Sequence, residues 1–308
     1  MTFNIWYGGS KVENGIQKIA KHIKFIDPDV VAIQEIRTNK VLSEILQQLG
    51  SKWTGIQGSD KDYPNNGILT KHKIIASNFS EIGTGVGAAI LFNNNKTINF
   101  WGLHLFYKSF GLYAAHNKLI TSSEQIMAGE THGMFYNGKN YSSRVENIEE
   151  LLANKKFQSD LEKADQIPLI VAGDFNTPSH LDWIEGNKHL HGGWVFEWPV
   201  TKILMEKAKM IDSYRELYPD PLKYPGTTWS SIQRFFGPDW GYTIPEPQDR
   251  IDFIFYRCPN MIPKKSYVYA GTVPLKLQEK GHSPYEYNND WPSDHYAVVT
   301  DFFIYTGI

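Results

Sequence analysis

The feature that most constrains this chain is a set of apolar, strand-like segments that each carry a polar residue inside them or at their end. An ordinary strand would continue or turn at these points, because an unpaired polar group buried in a strand costs on the order of several kcal/mol. One acid after a strand is more often a turn former or a helix cap than a ligand. Several such residues in one chain favour a shared site. They are Asn4 in TFNIW, Glu35 in VVAIQEI, Asp174 and Asn176 in LIVAGDFN, and Asp252 in RIDFIF.

Two further segments add imidazoles to this set. His104 lies in WGLHLFY, and Asp294 with His295 stands at the start of the strand-like run in WPSDHYAVV. The single cysteine, Cys258, excludes an internal disulfide and a multi-thiolate zinc site. Carboxylates, amides and imidazoles without thiolates suit a hard cation such as Mg²⁺, which takes one or two carboxylates and leaves positions for a phosphate oxygen. Glu35 and Asp294 fit that requirement, with Mn²⁺ or Ca²⁺ as substitutes for Mg²⁺.

The same residue types suit hydrolysis of a phosphoester. The two histidines, His104 and His295, can stabilise or protonate a phosphoryl group, while Asp174 orients or deprotonates the attacking water. This chemistry requires that all the polar residues meet at one place in the fold.

Taken in chain order, these residues match the motif set of the endonuclease/exonuclease/phosphatase superfamily, which the chain resembles over nearly its full length. The GDFN segment alone would be a moderate signal and SDH alone a weak one, but the joint set is specific. The run from Asn66 to Ile74 also looks like the family's central hairpin. The resemblance implies an α/β fold, a four-layer α/β sandwich in which two mostly antiparallel β-sheets pack face to face and are flanked by helices.

The resemblance also implies a role for each motif residue at one end of this sandwich. Glu35 would be the principal metal ligand, with Asn4 and Asp294 as nearby or secondary ligands. Asp174 would position the nucleophilic water, and Asn176 would hold a phosphate oxygen.

The remaining motif residues concern the two histidines. His295 would contact the scissile phosphate, and Asp252 would pair with His295 and fix its tautomer. His104 would donate to the phosphate or help the leaving oxygen depart, and the alternative is a core histidine bonded to a nearby carboxylate. Arg250 is expected to be structural.

The periodicity of the chain predicts alternating helices and strands without an internal repeat or a linker, so residues 1–308 are expected to form one domain. An amphipathic helix should end at Pro28, and others are expected over Lys40–Leu49, Phe110–Met127 and Ser143–Ala164. The segment Gly129–Asn140 is interpreted as an exposed loop. The strands are expected over Thr2–Tyr7, Val30–Ile36, Ile68–Lys71, Lys73–Asn78, Ala88–Phe92, Thr97–His104, Ile167–Ala172, Ile251–Tyr256, Lys265–Ala270 and Tyr296–Phe303.

The charge balance argues against a surface that gathers nucleic acid unselectively, because 31 Lys and Arg stand against 33 Asp and Glu for a net charge of −2. No run of about 18 apolar residues is present, so no transmembrane segment is expected. A strand that begins almost at residue 1 favours an upstream segment, such as a secretion signal, that has been removed. Localisation stays open between secreted and cytoplasmic, and no protein partner is implied.

Selectivity should lie in segments outside the shared motifs. FYKSFGLYAA, TPSHLDW and HLHGGWVFEWPVT carry most of the candidates; they are Phe106, Tyr107, Lys108, Phe110, Tyr113, His180, Asp182, Trp183, His189, His191, Trp194 and Trp198. Packing of a surface loop is the ordinary role for most of these aromatics, and a stacking platform for a base or sugar is the sharper hypothesis for a few. The His189–His191 pair is expected to be solvated or capping rather than a zinc site. The PSHLDW and WPV segments also resemble those of secreted-type bacterial and fungal members of the superfamily.

Three functions remain in view for this chain. The first is a metal-dependent phosphodiesterase or phosphatase, acting by in-line attack of an activated water on a small-molecule or lipid head-group phosphoester. The second is a nuclease of DNA or RNA with the same mechanism, which predicts a basic track beside the site, whereas a small substrate predicts an enclosed aromatic or polar pocket. The third is a catalytically silent binding module, which the complete motif set disfavours. A lipid-acting enzyme should also show an exposed apolar hairpin, and the sequence offers no clear candidate.

Overall fold

The computed structural model describes residues 1–60 and 65–305. Within them, the chain forms short strands and helices that alternate along the sequence. The strands are β1 (Thr2–Asn4), β2 (Val30–Gln34), β3 (Thr54–Gln57), β4 (Asn66–Thr70), β5 (Lys73–Ile82), β6 (Gly85–Leu91), β7 (Thr97–His104), β8 (Met134–Tyr136), β9 (Lys139–Tyr141), β10 (Leu169–Asp174), β11 (Ile211–Asp212), β12 (Phe235–Phe236), β13 (Ile244–Pro245), β14 (Asp252–Arg257), β15 (Met261–Tyr269) and β16 (Ala297–Ile304). The helices are α1 (Gly15–Ile26), α2 (Asn39–Leu49), α3 (Gly111–His116), α4 (Ser123–Thr131), α5 (Arg144–Ala153), α6 (Lys155–Glu162), α7 (Pro199–Ala208) and α8 (Ser213–Leu217).

Two six-stranded sheets carry the fold. The first has the order β15-β16-β1-β2-β4-β3 and the second the order β11-β14-β10-β7-β6-β5. Each sheet has one parallel pair, β1 with β2 and β7 with β10, and its other neighbours are antiparallel. The expectation of two mostly antiparallel sheets is therefore confirmed.

Three apolar clusters hold the layers together. Side chains from both sheets, such as Ala32, Phe100 and Ile170, form a buried cluster between them. The outer face of the first sheet packs on α1 and α2 through residues such as Ile19 and Ile45. The outer face of the second sheet packs on helices α5, α6 and α7. Helices cover sheets on both sides, so the four-layer sandwich is confirmed. No helix in the described residues is both long enough and apolar enough to span a bilayer.

Two helices that were predicted as single helices are each broken in two. The segment predicted as Phe110–Met127 contains α3 and the start of α4, and α4 begins at a new cap, Ser122, in a capping box with Gln125. The segment predicted as Ser143–Ala164 divides at Asn154, whose side chain accepts the backbone N–H groups of the first turn of α6. The capping box predicted at Ser143 is present. Local capping therefore overrides the longer helical periodicity in both segments.

The prediction of a loop over Gly129–Asn140 is wrong. Helix α4 runs to Thr131, and a hairpin of β8 and β9 follows with Asn137 and Gly138 at its turn, at φ values of 48° and 77°. An Asn-Gly pair between two short runs is the signature of a type I′ hairpin turn, so the sequence did carry this signal. The short edge strand β3 was also not predicted, and the predicted strand Thr2–Tyr7 ends at Asn4, after which Trp6 and Tyr7 have positive φ.

Candidate active site

Strand direction explains why the polar motif residues meet. The parallel strands β7 and β10 end side by side at His104 and Asp174, and the antiparallel neighbour β14 begins opposite them at Asp252. In the facing sheet, Asn4 ends β1 beside the end of β2, and Glu35 follows directly. The carboxyl ends of the parallel strands and the amino ends of their antiparallel neighbours therefore share one edge of the sandwich.

This edge opens into a cavity of about 920 Å³. Six of the eight predicted site residues line it, and they are Glu35, His104, Asp174, Asn176, Asp294 and His295. The other two, Asn4 and Asp252, are each 1% exposed and bond to lining residues from behind. The structure thus brings together the whole predicted set, while the role of each residue stays a prediction.

His295 is held between two carboxylates. Its Nδ1 lies 2.9 Å from Asp252 Oδ2, and its Nε2 lies 3.6 Å from Asp174 Oδ2. The predicted pairing of Asp252 with His295 is therefore confirmed. Burial alone would lower the pKa of His295, but the charges of Asp252 and Asp174 outweigh it and raise the pKa to about 10. An imidazolium at the cavity wall can donate to a phosphoryl oxygen.

His104 approaches Asp174 from the other side. Its Nε2 lies 3.5 Å from Asp174 Oδ2, and its Nδ1 lies 3.1 Å from the side-chain oxygen of Asn65. Burial lowers the pKa of His104 despite the neighbouring charges of Asp174 and Glu35. Acceptance by Asn65 places the ring proton on Nδ1, since the amide oxygen can only accept. Nε2 then faces the cavity as an acceptor when the ring is neutral.

Asp174 is the hub of the hydrogen bonds at this edge. Its Oδ2 accepts a hydrogen bond of 2.9 Å from the side-chain amide of Asn4, and its Oδ1 accepts one of 2.8 Å from the backbone N–H of Asn176. Burial raises its pKa, and the charge of Asp252 adds to that rise. The side-chain amide of Asn176 donates to the carbonyl of Leu105 at 3.0 Å, so its oxygen is the atom left for other contacts. Asp174 is thereby fixed in one orientation beside both histidines.

Glu35 and Asp294 form the second part of the site. Glu35 Oε2 accepts a 2.6 Å hydrogen bond from the backbone N–H of Tyr7 and lies 3.5 Å from the guanidinium of Arg37. Burial would raise the pKa of Glu35, but the charges of His104 and Arg37 lower it. Burial raises the pKa of Asp294 to about 7, and the charge of Glu35 adds to the rise. The charge of Glu35 thus raises the proton affinity of Asp294, and a cation bound between two such carboxylates would relieve that repulsion.

A divalent cation passes a direct test of fit here. Asp294 Oδ1 is buried and has no hydrogen-bond partner among the described residues, so this oxygen is free to be a ligand. Glu35 supplies a carboxylate of lowered pKa. Asn4 is less free, because its Oδ1 accepts the backbone N–H of Trp6 at 3.0 Å, although an amide oxygen has a second lone pair. An oxygen donor set of this kind suits Mg²⁺ and related ions.

A second group of side chains is also close enough to hold a cation. Ligand atoms of Asp174, Asp252 and His295 lie within 4.8 Å of one another. The hydrogen bond between His295 Nδ1 and Asp252 would be lost if that nitrogen bound an ion. An ion at Nε2 would keep this hydrogen bond but would require loss of the proton from an imidazole whose pKa is raised to about 10. The Glu35–Asp294 position requires neither change, so it accounts better for the observed contacts.

Backbone strain concentrates around the cavity. Six non-glycine residues at its wall have positive φ; they are Trp6, Tyr7, Glu35, Arg37, Ser109 and Asn176. Such conformations cost on the order of 1–3 kcal/mol each and cluster at functional sites. The strain supports the assignment of this cavity as the functional one.

Several residues of the site escaped the sequence analysis. Asn65 bonds to His104, Arg37 lies beside Glu35, and the ring of Trp229 lies 6.3 Å from the ring of His295. Arg37 stands two residues after Glu35, which is a signal that could have found it. Asn65 and Trp229 lie in loop segments, and nothing in their local sequence distinguishes them from turn or packing residues.

Other residues were expected near the site and lie elsewhere. Trp183 and Trp198 pack with α3 and α4 in a buried cluster and do not themselves line the cavity. Asp182 pairs with two buried arginines, Arg215 and Arg250, which also places Arg250 in a structural role. The remaining four do not line the main cavity either, and they are His180, His189, His191 and Trp194. The motif TPSHLDW therefore contributes to packing, since its side chains turn into the fold.

The FYKSFGLYAA segment behaves as predicted in part. Phe106, Tyr107, Lys108, Phe110 and Tyr113 all line the cavity. The hairpin of β8 and β9 forms another part of its wall. The aromatic content of this cavity is therefore supplied largely by segments outside the shared motifs.

Comparisons with known proteins agree with this architecture. A model described as Endonuclease/Exonuclease/phosphatase family matches residues 1–295. An uncharacterised protein of Caenorhabditis elegans, F14F9.5, is 44% identical over 302 residues, which cover 98% of this chain and 90% of that protein.

Two solved structures illustrate the shared fold. The catalytic domain of human Nocturnin with a bound sulfate anion is 16% identical at a TM-score of 0.55, covering 98% of this chain and 93% of that one. A mannosyl-6-phosphatase of Bacteroides thetaiotaomicron is 15% identical at a TM-score of 0.57, covering 98% of both chains. At these identities the likeness is one of fold.

Proposed function

Because this chain belongs to the endonuclease/exonuclease/phosphatase family of phosphoester hydrolases, we propose that it hydrolyses a small phosphoester, most simply a phosphodiester. In this proposal Glu35 and Asp294 bind a divalent cation. The observation that carries the proposal is the meeting of both acids with His104, Asp174 and His295 in one cavity. The acids come from segments far apart in the chain. A shared cavity is what a common reaction requires.

Each side chain has a role in the proposed reaction that its contacts support. Asp174, fixed by Asn4, accepts a proton from the attacking water or orients it. His295, held by Asp252, donates to a phosphoryl oxygen as negative charge develops there. His104 lies on the other side of Asp174, and it would assist the phosphoryl group or the leaving oxygen after its Nε2 has taken up a proton.

The cation, when bound, would supply electrostatic stabilisation of the phosphoryl oxygens, and Mg²⁺ is the ion that this oxygen donor set fits best. Asp294 Oδ1 is the buried oxygen left for it, and Glu35 is the second carboxylate. Asn4 remains a candidate for a secondary contact.

The charges on the cavity wall favour a small substrate over a nucleic acid. Arg37 and Lys108 are the lysine and arginine side chains among the described residues that line it, and four carboxylates stand against them. A nuclease needs a basic track along the phosphate backbone. The lining is instead rich in aromatic rings, which suits a compact organic substrate.

A lipid head group is a second candidate, because the hairpin of β8 and β9 at the cavity wall exposes apolar rings. Phe135 is 70% exposed and Tyr136 is 38% exposed on this hairpin, and the nearby Tyr107 is 57% exposed. Exposed aromatic rings of this kind suit the polar boundary of a lipid layer. Comparing hydrolysis of phospholipid vesicles with hydrolysis of small soluble esters distinguishes a lipid head group from a small-molecule substrate.

The test is hydrolysis of plasmid DNA, RNA, phospholipid vesicles, sugar phosphates and aryl phosphodiesters, each with Mg²⁺ or with EDTA. We expect Mg²⁺-dependent hydrolysis of a small ester, and its loss in Glu35→Ala with the circular dichroism spectrum intact. Glu150→Gln is the matched control, since Glu150 is an acid of the same cavity wall that bonds only to the backbone of Gly83 among the contacts described. Unaltered activity in Glu35→Ala would refute its assignment as the metal ligand.

A further inference from the structure

Four aromatic side chains form a continuous surface inside the cavity, which we call the aromatic shelf; they are Phe110, Tyr113, Trp229 and Phe236. The ring of Trp229 meets those of Phe110 and Tyr113 nearly at right angles, with centroids 5.7 and 6.0 Å apart. The ring of Phe236 lies 4.7 Å from that of Tyr113. These residues come from three separate segments, so the shelf is a product of the fold.

The shelf begins next to the reacting groups. The ring of Trp229 lies 6.3 Å from the ring of His295, and the backbones of the two residues form an isolated β-bridge. Trp229 is 9% exposed, whereas Phe236 at the other end is 41% exposed. The shelf therefore extends from the phosphate-handling histidine to the mouth of the cavity.

The shelf carries no charge of its own at neutral pH. The Tyr113 hydroxyl donates to the carboxyl of Glu246, which is 4% exposed and lies behind the ring. Burial raises the pKa of Glu246 to about 8, and burial together with the charge of Glu246 raises the pKa of Tyr113 well above its usual value. This hydrogen bond to Glu246 fixes the orientation of the Tyr113 ring. What faces the cavity is ring surface.

A preformed aromatic surface of this kind selects by shape as well as by area. A flat aromatic ring gains binding free energy from offset stacking and edge-to-face contacts in addition to the burial of its apolar area. A saturated ring of similar size gains binding free energy only from that burial. Base-sized rings stack on protein aromatics without requiring hydrogen bonds.

We propose that the aromatic shelf binds a flat, uncharged ring of the substrate, so that the preferred substrates are phosphoesters that carry an aryl or heteroaromatic group. The inference rests on the proposed function, because it takes the phosphoryl group to lie at His295. It narrows the small-ester class to esters with a planar substituent, and it assigns Phe236 as a residue that determines specificity.

The test uses non-hydrolysable phosphonates and calorimetry with the Mg²⁺-loaded protein. Phenylphosphonate should bind about three- to tenfold more tightly than cyclohexylphosphonate, and both should bind at least as tightly as methylphosphonate. In Phe236→Ala the preference for phenyl over cyclohexyl should fall to less than about twofold, with methylphosphonate affinity unchanged. Trp240→Ala is the matched control. Phe236 lies in β12, which pairs with β13, and Trp240 lies in the connection between these two strands, is 65% exposed and does not line the cavity.

Three results would overturn the shelf. The first is equal affinity of the wild-type protein for phenylphosphonate and cyclohexylphosphonate. The second is an equal loss of affinity for all three phosphonates in Phe236→Ala, and the third is no detectable binding of phenylphosphonate. Hydrolysis of an aryl phosphodiester is measured in parallel to separate this inference from the proposed function. If the protein hydrolyses the aryl phosphodiester but shows no preference for phenylphosphonate, only the proposed role of the aromatic shelf is contradicted. If it prefers phenylphosphonate but hydrolyses no ester, the proposed hydrolase function is contradicted and the role of the shelf stands.

Discussion

The Nδ1 atom of His295 lies 2.9 Å from Oδ2 of Asp252, a residue 43 positions earlier in the sequence. This contact holds one ring nitrogen of the imidazole, and the other, Nε2, then lies 3.6 Å from Asp174 Oδ2. A buried carboxylate behind a histidine holds the tautomer and stabilises the positive form of the ring. The pair therefore prepares His295 to donate a hydrogen bond into the cavity.

Replacement of Asp252 by Asn should lower kcat at least about 100-fold, because the neutral amide no longer stabilises the protonated ring. The substrate KM should change far less, since Asp252 is buried behind His295 and does not line the cavity. Steady-state kinetics and circular dichroism measure the two effects. Asp301→Asn, at an exposed position of β16, controls for the loss of one negative charge. A kcat within threefold of wild type would contradict the role of the pair.

Replacement of Asn65 by Ala should lower kcat about tenfold, because His104 loses the acceptor that fixes its tautomer. Asn65→Asp should restore most of the activity, since a carboxylate also accepts from Nδ1–H. An equal loss in both variants would instead indicate a purely structural position. Asn93→Ala, at an exposed turn remote in sequence, should be silent.

Much of this site was accessible from the sequence, and for a physical reason. Asn4, Glu35, Asp174 and Asp252 are polar residues in strands or at strand ends, and a buried polar residue in an apolar run requires partners. Their identity therefore predicts a shared site even before the sheet order is known. The four-layer arrangement was predicted from the resemblance of the motifs, taken in chain order, to those of the endonuclease/exonuclease/phosphatase superfamily, and no single segment predicted it.

The part that could not be predicted depends on contacts between distant loops. Trp229 reaches His295 because its backbone bridges both Asp249 and His295, and no periodicity encodes such a bridge. The opposite error arose at Trp183 and Asp182, which lie in the segment after GDFN but turn into the fold to meet Asp249 and Arg250. Nearness in sequence to a motif is thus a poor guide to nearness to the cavity.

A buried acid that does not line the cavity, Asp249, should make stability depend on pH. Asp249 accepts a 2.7 Å hydrogen bond from the indole of Trp183, and burial raises its pKa to about 7 from 3.8. The folded protein therefore holds this proton more tightly than the unfolded chain does. The resulting stabilisation is complete below pH 3.8 and is lost as pH rises to about 7.

Replacement of Asp249 by Asn should remove this pH-dependent loss of stability, because an amide does not titrate. Between pH 5 and pH 8, the free energy of unfolding of wild type should fall relative to that of the variant by on the order of 2–3 kcal/mol. Urea denaturation at the two pH values measures the difference. His191, whose Nδ1 lies 3.7 Å from Asp249, has its pKa lowered to about 4 by burial, so it is neutral in the folded wild-type protein across this pH range. Parallel pH profiles for the two proteins would contradict the prediction.

Arg144 ties one wall of the cavity to the helices behind it. The side chain is fully buried and pairs with Glu130 at 2.5 Å, and it also donates to the backbone carbonyls of Phe106, Lys108 and Ser109. Five N–H groups in a rigid fork make this set of bonds, which a lysine cannot reproduce. The segment that carries Lys108 is therefore held by one guanidinium.

Replacement of Arg144 by Met should destabilise the fold by about 3–5 kcal/mol, because Glu130 is left as an uncompensated buried acid. The double variant Arg144→Met/Glu130→Met should recover part of that loss, since no unpaired charge remains. In the double variant KM should still rise, because the Phe106–Ser109 wall has lost its carbonyl contacts while His104 and Asp174 keep theirs. Denaturation and steady-state kinetics separate the two effects, with Arg257→Met as a control that removes one carbonyl contact, to Ala208, away from the cavity. Recovery of stability together with a wild-type KM would show that the guanidinium stabilises the fold without shaping the cavity wall.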